Sequence, residues 1–190
     1  MSAKRRRWFR PCLEALEDRC VPTTFTVSNL KDDGSAGSLR GAIDKANDLV
    51  HHPGLDSIVF KPGLEGTIPL NGTEIDIRDN LSLLGPGAAK VAVDARDLSR
   101  IFGLGPGNPN VLIQGLELRN CYATNGAAIS ASGNLTLVKT VISGNTTTGD
   151  GGAVAAYAAL TIRQSIISGN TAASTGGGVY FAGTTLTVKP

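Results

Sequence analysis

The chain has 190 residues with 18 basic and 16 acidic side chains, so its formal net charge is only +2. Five of the basic residues lie in the first ten positions, and the remainder, with 13 basic and 16 acidic side chains, is mildly acidic. We therefore expect no nucleic-acid partner and, because no apolar run is long enough, no integral membrane segment. The 24 glycines and few aromatic residues indicate one turn-rich β domain.

The first 23 residues differ in composition from the rest of the chain. They begin like an export signal, but the apolar stretch that such a signal needs is interrupted by charged residues at Glu14, Glu17, Asp18 and Arg19. We interpret residues 1–23 as a basic sorting or export segment, disordered or helical. Residues 24–190 are then the folded domain.

This segment also carries a resemblance to a known motif. Residues 13–19 read LEALEDR and are similar to the LEPLEDR motif, which opens many large, predicted extracellular proteins of planctomycete bacteria. Ala15 stands where that motif usually has proline. The resemblance implies an extracellular or cell-surface location, although it does not indicate the export route.

A first strand and a helix are predicted at the start of the domain. Phe25 and Val27 alternate with polar residues, as in a half-buried strand. Residues 38–50 have apolar side chains at helical spacing, and Ser38 suits the N-cap position. Stacked strands expose apolar core and unpaired backbone at an open end. We therefore expect this helix to cap the N-terminal end of the domain.

Short apolar segments after the helix predict strands in less regular coils. Their ranges are 57–60, 66–70, 74–77, 81–84, 91–93, 101–104, 111–113 and 116–118. The adjacent His51 and His52 are too close in sequence to face one metal from a helix, where useful spacing is three or four residues. No metal site is predicted there.

From about residue 110 to 190 the chain repeats with a period of about 25 residues. A fixed period of this length indicates a repeat architecture. Each repeat contains three short apolar segments separated by Gly, Ser and Asn turns, and it must stack on a neighbour to bury its apolar row. Matched pairs are Leu137 and Ile162, Ile142 and Ile167, Asn145 and Asn170, and Gly152 and Gly177. The sequence therefore predicts an all-β, single-stranded parallel β-helix.

These matched residues are predicted to be structural. The four apolar side chains should point inward from stacked strands, and Gly152 and Gly177 should serve turns. Asn145 and Asn170 end a repeated Ser-Gly-Asn sequence, and asparagine tolerates the left-handed turn conformation. We expect the two amides to form an inward ladder or to serve the turn, and a ligand role is the alternative.

Two further stretches resemble bacterial surface proteins. Residues 33–47, DGSAGSLRGAIDKAN, are similar to the DGSxGSLRxAIxxAN opening of bacterial surface β-helix proteins. The later Gly-Gly-Ala-Val and Ser-Gly-Asn elements resemble the GGAI and FxxN repeats of chlamydial-type polymorphic outer membrane proteins. Together these resemblances imply a right-handed, pectin-lyase-like parallel β-helix.

Catalysis on such a fold would need clustered carboxylates or a base on an outer strand face. The densest charged stretch supplies the candidates Asp94, Arg96 and Asp97, for which a solvated turn with a local ion pair is the simpler interpretation. Calcium-repeat and phosphate-loop patterns are absent from the sequence, and Cys12, Cys20 and Cys121 show no zinc-binding spacing. No cofactor and no metal are therefore expected, and the pairing of the cysteines stays open.

We predict an exported or surface-located structural or adhesive protein whose partner is a cell-surface polysaccharide or a neighbouring surface protein. The alternative is a carbohydrate-active β-helix enzyme, a lyase or hydrolase. Threonine-rich turns at 146–148 and 184–187 do not repeat over several coils, so they predict no flat threonine face. The third coil stops before its Ser-Gly-Asn turn, so we expect either that the chain is a fragment of a longer one or that a partner covers its last coil.

Overall fold

The computed structural model describes residues 22–190 with the exception of 53 and 106. The predictions for the sorting segment, for Cys12 and for Cys20 lie outside the described residues, apart from positions 22 and 23. The described residues form one helix and a series of short strands. Each strand pairs in parallel with the strand one coil away.

The elements fall into an irregular first part and a regular second part. The first part contains β1 (Thr24–Val27), α1 (Leu39–Ala46), β2 (Asp56–Phe60), β3 (Gly66–Pro69), β4 (Ile75–Ile77), β5 (Leu81–Leu84), β6 (Val91–Asp94) and β7 (Phe102–Leu104). The second part contains β8 (Asn110–Gln114), β9 (Glu117–Arg119), β10 (Tyr122–Ala123), β11 (Ile129–Ala131), β12 (Asn134–Val138), β13 (Val141–Ser143), β14 (Thr146–Thr147), β15 (Val154–Ala156), β16 (Leu160–Arg163), β17 (Ile166–Ser168), β18 (Thr171–Ala172), β19 (Val179–Phe181) and β20 (Leu186–Lys189).

Parallel pairing arranges these strands into four sheets that run along the solenoid. Sheet A contains β1, β2, β5, β8, β12, β16 and β20, sheet B contains β3, β6, β9, β13 and β17, and sheet C contains β4, β7, β11, β15 and β19. The small sheet D contains β10, β14 and β18. The prediction of an all-β parallel solenoid with one short N-terminal helix is confirmed.

The sequence period is the length of one coil. Leu137 pairs with Ile162 in sheet A, and Ile142 pairs with Ile167 in sheet B, so partners 25 residues apart are stacked. Leu137 and Ile142 are fully buried, Ile162 is nearly so, and Ile167 is half-buried against the same core. Burying one such side chain contributes about 1.5–3 kcal/mol, so the inward rows are a main source of stability.

The regular coils differ from the prediction in two respects. Each contains a fourth, two-residue strand in sheet D, which is too short to show an alternating pattern. The strands of sheet C begin at Ile129 and Val154, later than the apolar segments of the sequence, which start at Ala127 and Ala153. Ala127 is buried in the preceding turn, where its N–H donates to the Gly151 carbonyl of the next coil. Backbone hydrogen bonds between coils thus extend beyond the strands.

Helix α1 is shorter than predicted. Ser38 is its N-cap and accepts a hydrogen bond from the Gly41 N–H at 3.1 Å, but the helix ends at Ala46 rather than reaching Val50. The Asn47 side chain is engaged by strand β4, and the Asp48 carboxylate accepts from the Val50 N–H, so the chain turns here. Val50 is therefore 83% exposed.

The buried face of α1 belongs to the core of the solenoid. Leu39, Ala42, Ile43 and Ala46 lie in the same apolar cluster as the inward residues of the first strands. The helix contacts β1, β2 and β4, which lie at the N-terminal end of their sheets. It therefore covers the apolar interior at that end.

Candidate functional site

The three candidate catalytic residues do not converge on one point. Asp94 ends β6, and its carboxylate accepts from Arg119 Nε at 3.0 Å and from Asn120 Nδ2 at 2.9 Å. Arg96 instead donates its guanidinium to the Leu70 carbonyl at 2.6 and 3.1 Å. Two of the three side chains thus hold neighbouring coils together.

Backbone geometry explains why the third candidate is separate. Arg96 and Asp97 have φ angles of 54° and 57°, so the chain makes a tight turn directly after β6. The Asp97 N–H donates to the Asn120 carbonyl at 2.7 Å, while the side chain of Asp97 is exposed. The ion pair of Asp94 joins it to Arg119, its register partner one coil later, and not to Arg96. The 25-residue period could have indicated that partner.

Asn145 and Asn170 are stacked as amides. Asn145 Nδ2 donates to Asn170 Oδ1 at 2.8 Å, and Asn145 Oδ1 accepts from the Cys121 N–H at 3.0 Å. Asn145 is completely buried, whereas Asn170 is half-buried and donates to the Ile142 carbonyl. Cys121 occupies the equivalent position one coil earlier, and burial raises the pKa of its thiol. In this arrangement the two amides satisfy backbone groups between coils.

The two glycines that were predicted to be structural have different surroundings. A Cβ atom on Gly152 would collide with the Gly177 carbonyl oxygen of the next coil, so only glycine fits there. A Cβ atom on Gly177 would lie 3.5 Å from the Asn170 carbonyl oxygen, which is an ordinary contact. Glycine is therefore sterically required at position 152, where the next coil packs closely, and it is not sterically required at position 177.

A second amide ladder lies at the start of the sheet A strands, and the sequence did not predict it. Asn110 Nδ2 donates to Asn80 Oδ1 at 3.0 Å, and Asn134 Nδ2 donates to Asn110 Oδ1 at 2.8 Å. Asn134 Oδ1 in turn accepts from the Ala159 N–H at 3.1 Å. The spacings are 30 and 24 residues, so a search at a fixed period of 25 misses this row.

A third stacked row lies at the turn before sheet C. Arg100 Nη2 donates to the Asn125 carbonyl at 2.9 Å, and Asn125 Oδ1 accepts from the Asp150 N–H at 2.8 Å. The Asp150 carboxylate accepts from the Thr175 hydroxyl and N–H. The Thr175 hydroxyl, followed by the Ser174 hydroxyl, lowers the pKa of Asp150 below its ordinary value.

The outer face of sheet A presents a row of hydroxyl groups. Register places Ser82 beside Ser57 and places Thr136 beside Thr161, with Leu112 between the two pairs. This row runs across the strands, and it was not predicted from the sequence. Its members, in order along the solenoid, are Thr24, Ser57, Ser82, Leu112, Thr136, Thr161 and Thr187.

A shallow groove of about 230 Å³ lies on this face. It is open to solvent and runs along the starts of the neighbouring strands β5, β8 and β12. The residues that line it are Leu55, Leu81, Ser82, Asn110, Val111, Leu112, Asn134 and Thr136. None of these residues carries a formal charge, so the groove is suited to an uncharged ligand.

The histidines point to separate partners. His51 Nδ1 lies 2.6 Å from the Asp48 carboxylate, while the His52 ring packs edge-on against Phe25 with centroids 5.0 Å apart. Within the described part of the chain, no group of three or more His, Cys, Asp or Glu side chains is placed to hold a metal ion. No helix in that same part is long and apolar enough to span a membrane.

Residues 139–157 match the family model of the Chlamydia polymorphic membrane protein repeat. The matched segment begins in the turn after β12 and includes β13, β14 and β15. It is a short part of the chain and shows a similarity to this repeat. No curated protein and no solved structure matches the chain.

Proposed function

We propose that the chain is a surface-located structural or adhesive β-helix protein of the right-handed, pectin-lyase-like type. The observation that carries this proposal is the match of residues 139–157 to a polymorphic membrane protein repeat, inside a continuous solenoid. Proteins with that repeat are named as membrane proteins of Chlamydia, which favours an outer-membrane or surface-associated location. The LEALEDR segment supports export of this chain.

The contacts of the charged residues favour a structural role over catalysis. Asp94, Arg96 and Arg119 all bond to groups in a neighbouring coil, so they contribute to the stacking of the coils. Arg100 and Asp150 do the same at another corner of the solenoid. A general acid and base would instead need side chains that face a substrate within hydrogen-bond reach.

Surface location is tested by labelling intact and permeabilised cells that produce the chain, using an antibody against residues 110–190. We expect equal labelling of the two samples, because the epitope is already outside the permeability barrier. Labelling that appears only after permeabilisation would contradict a surface location. A cytoplasmic protein of the same cells provides the control for intactness.

Catalysis is tested separately with the purified chain and a panel of acidic polysaccharides. We expect no cleavage above that of a heat-denatured sample. Cleavage that is lost in Asp94→Asn or Asp97→Asn would establish the enzyme alternative. Loss of cleavage in Asp97→Asn would be the more informative result, because the Asp97 side chain is exposed and its substitution should disturb the fold less.

A further inference from the structure

We propose that the groove on the outer face of sheet A binds a neutral polysaccharide, with one sugar ring held between Leu55 and Leu112. This inference deepens the proposed adhesive function and rests on it for its biological setting. The groove is smaller than the roughly 300–1,000 Å³ of sites for drug-sized ligands, which suits a single ring of a longer polymer. Its open shape would let the polymer extend along the sheet.

The amide groups of the groove are held in fixed positions. Asn110 and Asn134 each donate one N–H along the ladder, and each oxygen accepts a hydrogen bond. A carboxamide nitrogen has two N–H donors, so one donor of each residue is left over. Because these residues are exposed and lie on adjacent strands, the two free donors recur at a spacing of about 4.8 Å.

Hydroxyl groups provide the complementary hydrogen-bonding capacity. Ser82 and Thr136 line the groove, and neither hydroxyl has a hydrogen-bond partner within the described residues. A serine or threonine hydroxyl can donate once and accept twice. The floor of the groove therefore offers both donors and acceptors, which is what the hydroxyl groups of a sugar require.

Apolar side chains give the groove a second kind of contact. Leu55 is 51% exposed, and Leu112 is the one apolar member of the hydroxyl row. The C–H groups of a sugar ring gain by covering such carbon surface. On the outer face of sheet A, formal charge appears at Arg163 on β16, the strand next to β12, and at Lys189 on β20. Neither residue lines the groove. An acidic or basic polymer would therefore find no complementary charge in the groove.

Electrophoresis of the purified chain in native gels that contain polysaccharide tests this proposal. The neutral probes are dextran, laminarin and hydroxyethyl cellulose, and the charged probes are polygalacturonate and heparin. We expect retardation by at least one neutral probe, with little change when the salt concentration is raised, because no ion pair is involved. Retardation by the charged probes alone, or by no probe, would overturn the proposal.

Two substitutions assign any retardation to the groove. Thr136→Arg places a long charged side chain on the groove floor and should weaken binding about tenfold or more. Ser130→Arg is the matched control, because Ser130 is half-buried on the outer face of sheet C in the same coil. Equal weakening by both substitutions would contradict the groove assignment.

A third variant covers the case in which Thr136→Arg does not fold. Leu112→Ala keeps the groove uncharged and removes only the apolar contact, so it should weaken binding a few-fold while the circular dichroism spectrum stays unchanged. Undiminished binding by a folded Leu112→Ala would contradict the proposed ring position. These binding assays use purified protein, so a negative result would not contradict the proposed surface location. Likewise, a negative result in the surface-labelling experiment would not contradict polysaccharide binding.

Discussion

The two ends of the solenoid are covered very differently. At the N-terminal end, helix α1 packs on the apolar interior and side chains bond to the edge of β4. At the C-terminal end, β19 and β20 pair on one side only among the described strands, and their side chains are exposed or half-buried. A repeating interior can be made by repeating sequence, but a cap needs residues that occur once.

The N-terminal cap satisfies backbone groups with specific side chains. Asn47 Nδ2 donates to the Asp76 carbonyl at 2.8 Å, and Asn47 Oδ1 accepts from the Arg78 N–H at 2.8 Å. The Arg40 guanidinium donates to the Thr73 and Glu74 carbonyls, each at 2.8 Å. These bonds take the place of a preceding strand, because parallel pairing would use the same edge groups of β4.

A buried ion pair joins the cap to the first coils. Arg40 Nε lies 2.7 Å from the Asp32 carboxylate, whose side chain is 1% exposed. The same carboxylate accepts from the Asn71 N–H at 2.8 Å. Both of these partners, Arg40 and Asn71, lie in the non-repeating part of the sequence, so the cap is specific to this end.

One row of leucines shows the effect of position alone. Leu135, Leu160 and Leu186 are consecutive register partners in sheet A. Leu135 and Leu160 are 1% and 0% exposed, whereas Leu186 is 48% exposed. The residue type and its place in the coil are the same, so the difference comes from the lack of a following coil in the described structure.

Substitutions in the leucine row should give the largest difference in unfolding free energy between an inner coil and the C-terminal end. Leu135→Ala should lower the free energy of unfolding by about 4 kcal/mol, because it leaves a cavity between two coils. Leu186→Ala should cost less than about 1 kcal/mol, since this side chain already contacts water. Urea unfolding followed by circular dichroism measures both. Equal losses for the two variants would show that the C-terminal end is covered in solution.

The helix cap gives the next largest effect. Ile43→Ala removes a fully buried side chain from the face of α1 and should cost about 3 kcal/mol. The control is Leu49→Ala, just beyond the helix, where the side chain is 56% exposed and the expected loss is below about 0.5 kcal/mol. A loss below about 1 kcal/mol for Ile43→Ala would indicate that the helix does not contribute to the core.

Substitutions in the asparagine ladder should give a smaller difference in unfolding free energy between an inner and an outer coil. Asn145→Ala leaves the buried Cys121 N–H without its acceptor and should cost about 2 kcal/mol. Asn170→Ala should cost about 1 kcal/mol, because Asn170 is itself half-buried and its removal lets water reach the Asn145 N–H groups that lose their acceptor. Thermal unfolding of both variants measures which one loses more stability. A larger loss for Asn170→Ala would contradict the proposal that the buried end of the ladder stabilises the stacked coils most.

Asp150 gives the smallest and most pH-dependent effect. Its pKa is lowered from 3.8 in the folded chain, so the ionised carboxylate stabilises the fold above its unfolded pKa and loses this effect as the pH falls through the folded pKa. Asp150→Asn should melt at a lower temperature than the wild-type chain at neutral pH, and this difference should close as the pH falls below 3.8. A difference in melting temperature that does not change with pH would exclude the ionised carboxylate as its cause.

Much of the regular part was predictable because its period in sequence equals its period in space. Leu137 and Ile162 are stacked as their spacing of 25 implied. The Asn80, Asn110 and Asn134 ladder was not predictable in the same way, since its coils differ in length by several residues. Stacking in space then requires knowledge of where each extra residue is accommodated.

The limits of local patterns appear at the helix and at the charged turn. Apolar spacing alone extended α1 to Val50, whereas the helix ends where Asn47 is used by β4, a contact 29 residues away. The same holds for Asp94, whose partner Arg119 is supplied by the next coil. Side chains that bond between coils are set by tertiary structure, so short-range reasoning does not identify their roles.

Amide hydrogen exchange, measured residue by residue on the purified chain, most directly tests the contrast between the two ends. We expect strong protection in the inner strand β12 and in β1 and β2 beneath the cap, with exchange in β20 at least about a hundredfold faster. Fast exchange in β1 and β2 would contradict the cap formed by α1. Protection of β20 equal to that of β12 would contradict the uncovered C-terminal end.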